Sequence, residues 1–107
     1  MSVPFGLYVG DNVEVDLSRA AVIDLYDYLE PLFMANWRDD NNLDKDYAGC
    51  FVGMYIAGIM PLYHLPAAEY RTACGWVSEA VDKFESLKPY KEELFKTLQA
   101  DPRYQAV

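Results

Sequence analysis

Residues 37–66 read WRDDNNLDKDYAGCFVGMYIAGIMPLYHLP, and the fold turns on how this stretch is understood. Its first ten residues are mostly charges and amides. From Tyr47 to Ala68 no residue carries a formal charge. An acidic knot joined to an uncharged run has three sharp readings: a calcium loop, a membrane span, or an acidic recognition surface beside a core helix.

The calcium reading fails on residue types. An EF-hand loop needs acids or amides at its first, third and fifth positions, Gly at the sixth and Glu at the twelfth. Counting from Asp40 gives Asn42 and Asp44, but Lys45 takes the glycine position and Phe51 the glutamate position. Counting from Asn42 puts Tyr47 and Gly53 at the same two places. A solvated loop that caps the next helix fits better, and no metal site is expected.

A membrane span fits less well than a core helix because of what interrupts the run. Pro61 and Pro66 bracket His64, and no basic residue flanks the run on its acidic side within Asp44–Asp46 except Lys45. Trimmed at Pro61, the run is about 14 residues, which suits a buried core helix rather than a span. The sequence therefore predicts a central helix over about 47–60, capped by Asp44 or Asp46. Gly49, Gly53 and Ala57 recur every four residues on it, and tight packing against the first or third helix would offset the helix-weakening effect of glycine.

Working outward, residues 3–17 (VPFGLYVGDNVEVDL) alternate apolar and polar side chains around Gly10-Asp11-Asn12, the pattern of a hairpin. Asp16 or Ser18 can cap a first helix, on which Val22, Leu25, Leu29 and Leu32 or Phe33 form one apolar face. Asp24, Asp27 and Glu30 fall opposite, Tyr26 and Tyr28 flank the stripe, Pro31 breaks or kinks the helix, and Trp37 ends it. A third helix opens at Pro66 and buries Tyr70, Cys74, Val77, Val81 and Phe84. A fourth begins near Pro89, buries Leu94, Phe95 and Leu98, and ends near Asp101-Pro102. The expected fold is mainly α: a small bundle of about four helices with a short N-terminal β-hairpin packed on it. The chain reads as one domain over 1–107, with the hairpin at 1–16, the bundle at 17–101 and a tail at 102–107.

Charge narrows the function. The net charge is −8. Ten acids in residues 1–46 face only Arg19, Arg38 and Lys45, whereas the rest of the chain holds seven acids and six bases. Such a chain repels nucleic-acid phosphates and gains nothing from an anionic membrane, but attracts a basic protein surface.

Chemistry is sparse. His64 is the one histidine. Cys50 and Cys74 have no basic sequence neighbour and lie in apolar helical contexts, so inert, reduced, cytoplasmic thiols are expected in place of a nucleophile. No secretory signal is visible at the N-terminus. There is no Cys-x-x-Cys, no histidine pair and no phosphate-binding loop; "GLYVG" lacks the Lys and Ser/Thr of one. Neither a cofactor nor enzymatic activity is expected.

The sequence thus points to a small acidic protein-binding module. It would be an inhibitor or immunity-type partner of a basic or nucleic-acid-handling protein, acting by surface occlusion or by mimicry of nucleic-acid charge. The carriers are Asp24, Asp27, Glu30, Asp39, Asp40 and Asp44, with Tyr26, Tyr28 and Trp37 as anchors; for Trp37 a plain core role is the preferred alternative. The competing reading is a structural subunit that self-associates, as in a homodimer, through its Gly/Tyr-rich second helix.

Overall fold

The computed structural model describes residues 6–10 and 13–105. The elements are β1 (Gly6–Gly10), β2 (Val13–Asp16), α1 (Arg19–Trp37), a 3-10 turn (Leu43–Lys45), α2 (Tyr47–Tyr55), β3 (Ile59–Pro61), α3 (Ala67–Lys83), a second 3-10 turn (Glu85–Tyr90), α4 (Lys91–Ala100) and α5 (Pro102–Gln105). The fold is mainly α with a short hairpin packed on it, as the sequence predicts. Of the hairpin's expected turn, Asp11 and Asn12 lie outside the described residues.

Local rules account for most boundaries. Ser18 caps α1, its hydroxyl accepting from the Ala21 amide at 3.2 Å. The apolar face of α1 buries Val22, Leu25, Leu29 and Phe33. Pro31 does not break the helix, which continues to Trp37. Pro31 is exposed, so its ring sits on the water side while Leu29 and Phe33 hold the helix to the core. The stripe of α3 buries Tyr70, Cys74, Val77 and Val81 as predicted, with Ala73 and Ala80 beside them, but Phe84 follows the helix as its cap and, like Phe95 of α4, is only half-buried.

The hairpin is half of the sheet. β1 pairs antiparallel with β2, Leu7 opposite Val15, with an irregularity between Tyr8 and Gly10. That irregularity leaves Val13 exposed, where alternation alone would turn it inward. β3 then adds to the other edge of β1, parallel to it, giving the order β2-β1-β3. Pro61 closes β3 at the sheet edge, where a missing N–H costs no ladder bond.

Residues 59 and 60 were expected in the second helix, and their place in β3 is the main departure from expectation. α2 stops at Tyr55. The Ala57 and Gly58 amides close back on Met54 and Tyr55, and Gly58 takes φ of 79°, a left-handed conformation that glycine adopts without a Cβ clash. The chain leaves that turn as a strand at the β-branched Ile59.

The second departure concerns burial. α2 is not a central core helix: it buries only Ala48 and Phe51. Gly49, Gly53 and Ala57 face solvent. A Cβ on Gly53 would meet nothing within 4 Å, and one on Gly49 would strike the Asp46 carboxylate that caps the same helix. No neighbouring helix uses these glycines. Gly53→Ala should accordingly raise stability by about 0.5–1 kcal/mol, read from urea unfolding; a loss of stability would mean that a close contact does exist there.

The 102–107 tail also needs correction. Residues 102–105 form α5, and Arg103 within it is bound into the fold. The buried residues form one continuous core. They run from Leu7, Val9 and Val15 of the sheet, through Phe33 and Phe51, to Tyr70, Leu94 and Leu98.

Candidate functional site

The acids singled out by sequence do three different jobs. Asp46 and Asp39 build the loop between α1 and α2. The Asp46 carboxylate accepts from the Gly49 and Asp39 amides, and Asp39 accepts from the Asn41 and Asn42 amides. Asp40 is held by Arg38 at 3.1 Å. Asp24 takes a hydrogen bond from the Ser86 hydroxyl at 2.5 Å, tying α1 to the second 3-10 turn.

Asp27, Glu30 and Asp44 make no side-chain hydrogen bond or ion pair with another described residue. Asp27 and Asp44 are exposed and Glu30 half-buried. Asp27 and Glu30 lie one turn apart, about 5 Å along the helix. Among the described residues Arg38–Asp40 is the one ion pair in the first 46; the other two, Lys88–Glu85 and Arg103–Asp101, lie near the C-terminus. Most described acids of the first 46 residues thus belong to no ion pair.

The proposed anchors are mostly occupied within the fold. Tyr26 is not exposed: at 8% accessibility its ring is stacked on Tyr55 at 3.5 Å and on Phe51 at 5.5 Å. Burial, then the nearby Glu30 and Tyr55, push its phenol up. Tyr28 is half-buried and reaches α3. Its hydroxyl donates to Glu79 at 2.7 Å, its ring meets Phe84 edge-on, and the Lys83 ammonium lies 5.5 Å from its centroid. Trp37 is half-buried in an aromatic cluster, 4.8 Å from Phe33 and from Trp76 and 6.3 Å from Tyr47. Its role is chiefly to close the core where α1 ends.

Sequence reasoning missed the outer face of α2. Ile56 is 92% exposed and Leu43, in the turn before the helix, 84%. Between α1 and α2 runs a shallow groove of about 370 Å³ lined by Met34, Arg38, Asp40, Asp46, Gly49, Val52 and Gly53. Exposed apolar groups of this size suit contact with another protein. The lack of charge after Tyr47 was legible, but it signals burial and a sticky surface equally.

Both cysteines are free. Burial pushes the Cys74 thiol up to about 11, and burial with the Asp46 charge raises that of Cys50. Such thiols are poor nucleophiles at neutral pH. Neither ring nitrogen of His64 hydrogen-bonds to a described residue, so the histidine activates no thiol. Among the described residues no cluster of three or more His, Cys, Asp or Glu could hold a metal ion, and no helix is long and apolar enough to cross a membrane.

The chain matches no protein-family model, no curated protein and no solved structure.

Proposed function

We propose that this chain is an acidic protein-binding module that docks on a basic protein surface. The observation that carries the reading is the imbalance around α1 and the following loop: Asp27, Glu30 and Asp44 stand without cationic partners, and a single ion pair serves the described part of the first 46 residues. Unpaired carboxylates cost little in water and gain Coulomb energy when a basic surface approaches, with faster association as the main result. The exposed Ile56 and Leu43 supply apolar area that charge alone lacks. In finer terms the module acts in the cytoplasm as an inhibitor or immunity-type partner of a nucleic-acid-handling protein. It covers that protein's basic surface or imitates nucleic-acid charge.

Capture from source-cell lysate tests this. A tagged chain should retain a basic protein at low salt and lose most of it at high salt, and Asp27→Lys with Glu30→Lys should lose it at both. Retention that ignores salt and both substitutions would contradict the electrostatic reading.

A second reading rests on the outward α2 face itself, where Gly53 leaves open space and Ile56 is bare. There two copies would pack α2 against α2, and sedimentation over a range of concentrations separates that assembly from a monomer.

A further inference from the structure

His64 sits in the connector between β3 and α3. Its ring lies against Tyr47 of α2 at 5.5 Å and Tyr63 at 5.4 Å. Both Nδ1 and Nε2 are shut off from solvent, and neither has a hydrogen-bond partner among the described residues. A neutral imidazole carries one N–H and an imidazolium two. Protonation would therefore place a charge and a second donor where no described residue offers an acceptor for either.

The charged neighbour makes this worse. Arg103 grips the connector on both sides of His64, its Nη1 donating to the Leu62 and Leu65 carbonyls at 2.8 Å each. Among the described residues, the groups around the ring are thus two phenol rings, Tyr47 from α2 and Tyr63 from the connector, and the Arg103 guanidinium from α5. The carboxylate of Asp101 is already bound to that guanidinium at 2.9 Å through both oxygens.

We propose that His64 and Arg103 form an acid-operated latch: when His64 takes up a proton, the guanidinium releases the connector and α5 leaves the body of the fold. Arg103 also donates to the Val9 carbonyl of β1 and lies 3.9 Å over the Tyr70 ring of α3. Its release loosens β1, the connector and α3 together. Tyr104 of α5 helps line a cleft of about 490 Å³ between α3 and α4, with Cys74, Phe95 and Leu98 at its apolar wall. Departure of α5 widens that cleft.

Burial, and then the Arg103 charge, hold His64 below the ordinary histidine value of 6.5. The native state then binds fewer protons than the unfolded chain. The corresponding stability is full above that value and is lost as the pH falls from it toward the native one.

The test is an NMR titration of the His64 ring nitrogens alongside amide exchange on the intact chain. Below the ordinary histidine value, the amides of Leu62 and Tyr104, bonded to the Tyr8 and Asp101 carbonyls, should exchange severalfold faster relative to Val22 in α1. The change should follow His64 protonation and vanish in His64→Phe, or in His64→Gln where the phenylalanine variant fails to fold. A ring that titrates at or above the ordinary value would overturn the latch. So would C-terminal amides that stay protected as it titrates, or the same acid loss without the histidine.

Discussion

Arg103→Ala should destabilise the chain by about 3–5 kcal/mol, the largest loss expected from any single side chain outside the apolar core. All five guanidinium donors are used: Nε and one Nη2 hydrogen on the Asp101 carboxylate, the other Nη2 hydrogen on Val9, and both Nη1 hydrogens on Leu62 and Leu65. The two partners of the ion pair are only 20% and 15% exposed at their side chains, so water recovers little of what is lost. Removing the arginine also strips Asp101 of the guanidinium hydrogen bonds that chiefly hold its carboxyl below the ordinary range, leaving only the backbone amide of residue 103. That carboxylate's stabilisation is full above the ordinary value and disappears as the pH falls through the native one, so the variant should show a weaker acid-side dependence as well. Arg103→Lys should recover only a minor part, because one ammonium cannot reach four groups in a planar fork. Urea unfolding followed by tryptophan emission measures both variants. A loss below about 1 kcal/mol for the alanine variant would show that the clamp holds nothing.

Phe33→Ala should cost a similar amount, about 3–5 kcal/mol, by the cavity it leaves. The ring is fully buried, stacked on Phe51 at 4.2 Å and packed against Trp37 and Trp76. Together with Tyr26, which stacks on Phe51 and Tyr55, it joins α1 to α2, and so helps set the acidic loop and the outer face of α2. Both tryptophans of the chain sit in this cluster, so emission reports its disruption directly. Phe33→Leu refills most of the volume and should cost about 1–2 kcal/mol. If Phe33→Ala left stability and emission unchanged, α1 and α2 would not be joined through this ring.

These two sites show what a sequence discloses. Phe33 was legible because it repeats the helical spacing of Val22, Leu25 and Leu29. Tyr26 obeys the same spacing, four residues after Val22 and three before Leu29, and its burial could have been read from that; its polar tip argued misleadingly for the surface. Arg103 was hidden because its partners lie up to 94 positions away along the chain, and periodicity carries no long-range information. The local signal that did exist was Asp101-Pro102, an acid at a cap position before a proline that suits the first turn of a helix. β3 escaped notice because three residues are too few to show alternation, and Gly58, which turns the chain into it, lay inside the stretch read as one helix.

The acids divide along the same line. That residues 1–46 are acidic is plain from composition. Asp46 was already legible as a helix cap, and Asp39 and Asp40 find partners within three residues; the pairing of Asp24 with Ser86, 62 positions away, needed coordinates. What remains exposed and uncommitted, chiefly Asp27 with Asp44 and the half-buried Glu30, is a smaller surface than the sequence suggested.

Carbodiimide cross-linking of the captured complex, which joins carboxylates to lysines with no spacer, tests the central claim most directly. Peptide mapping should find the partner's lysines joined to Asp27, Glu30 or Asp44. Cross-links that fall instead on Glu92 and Glu93 of α4, with none from the first 46 residues, would contradict the proposed acidic face.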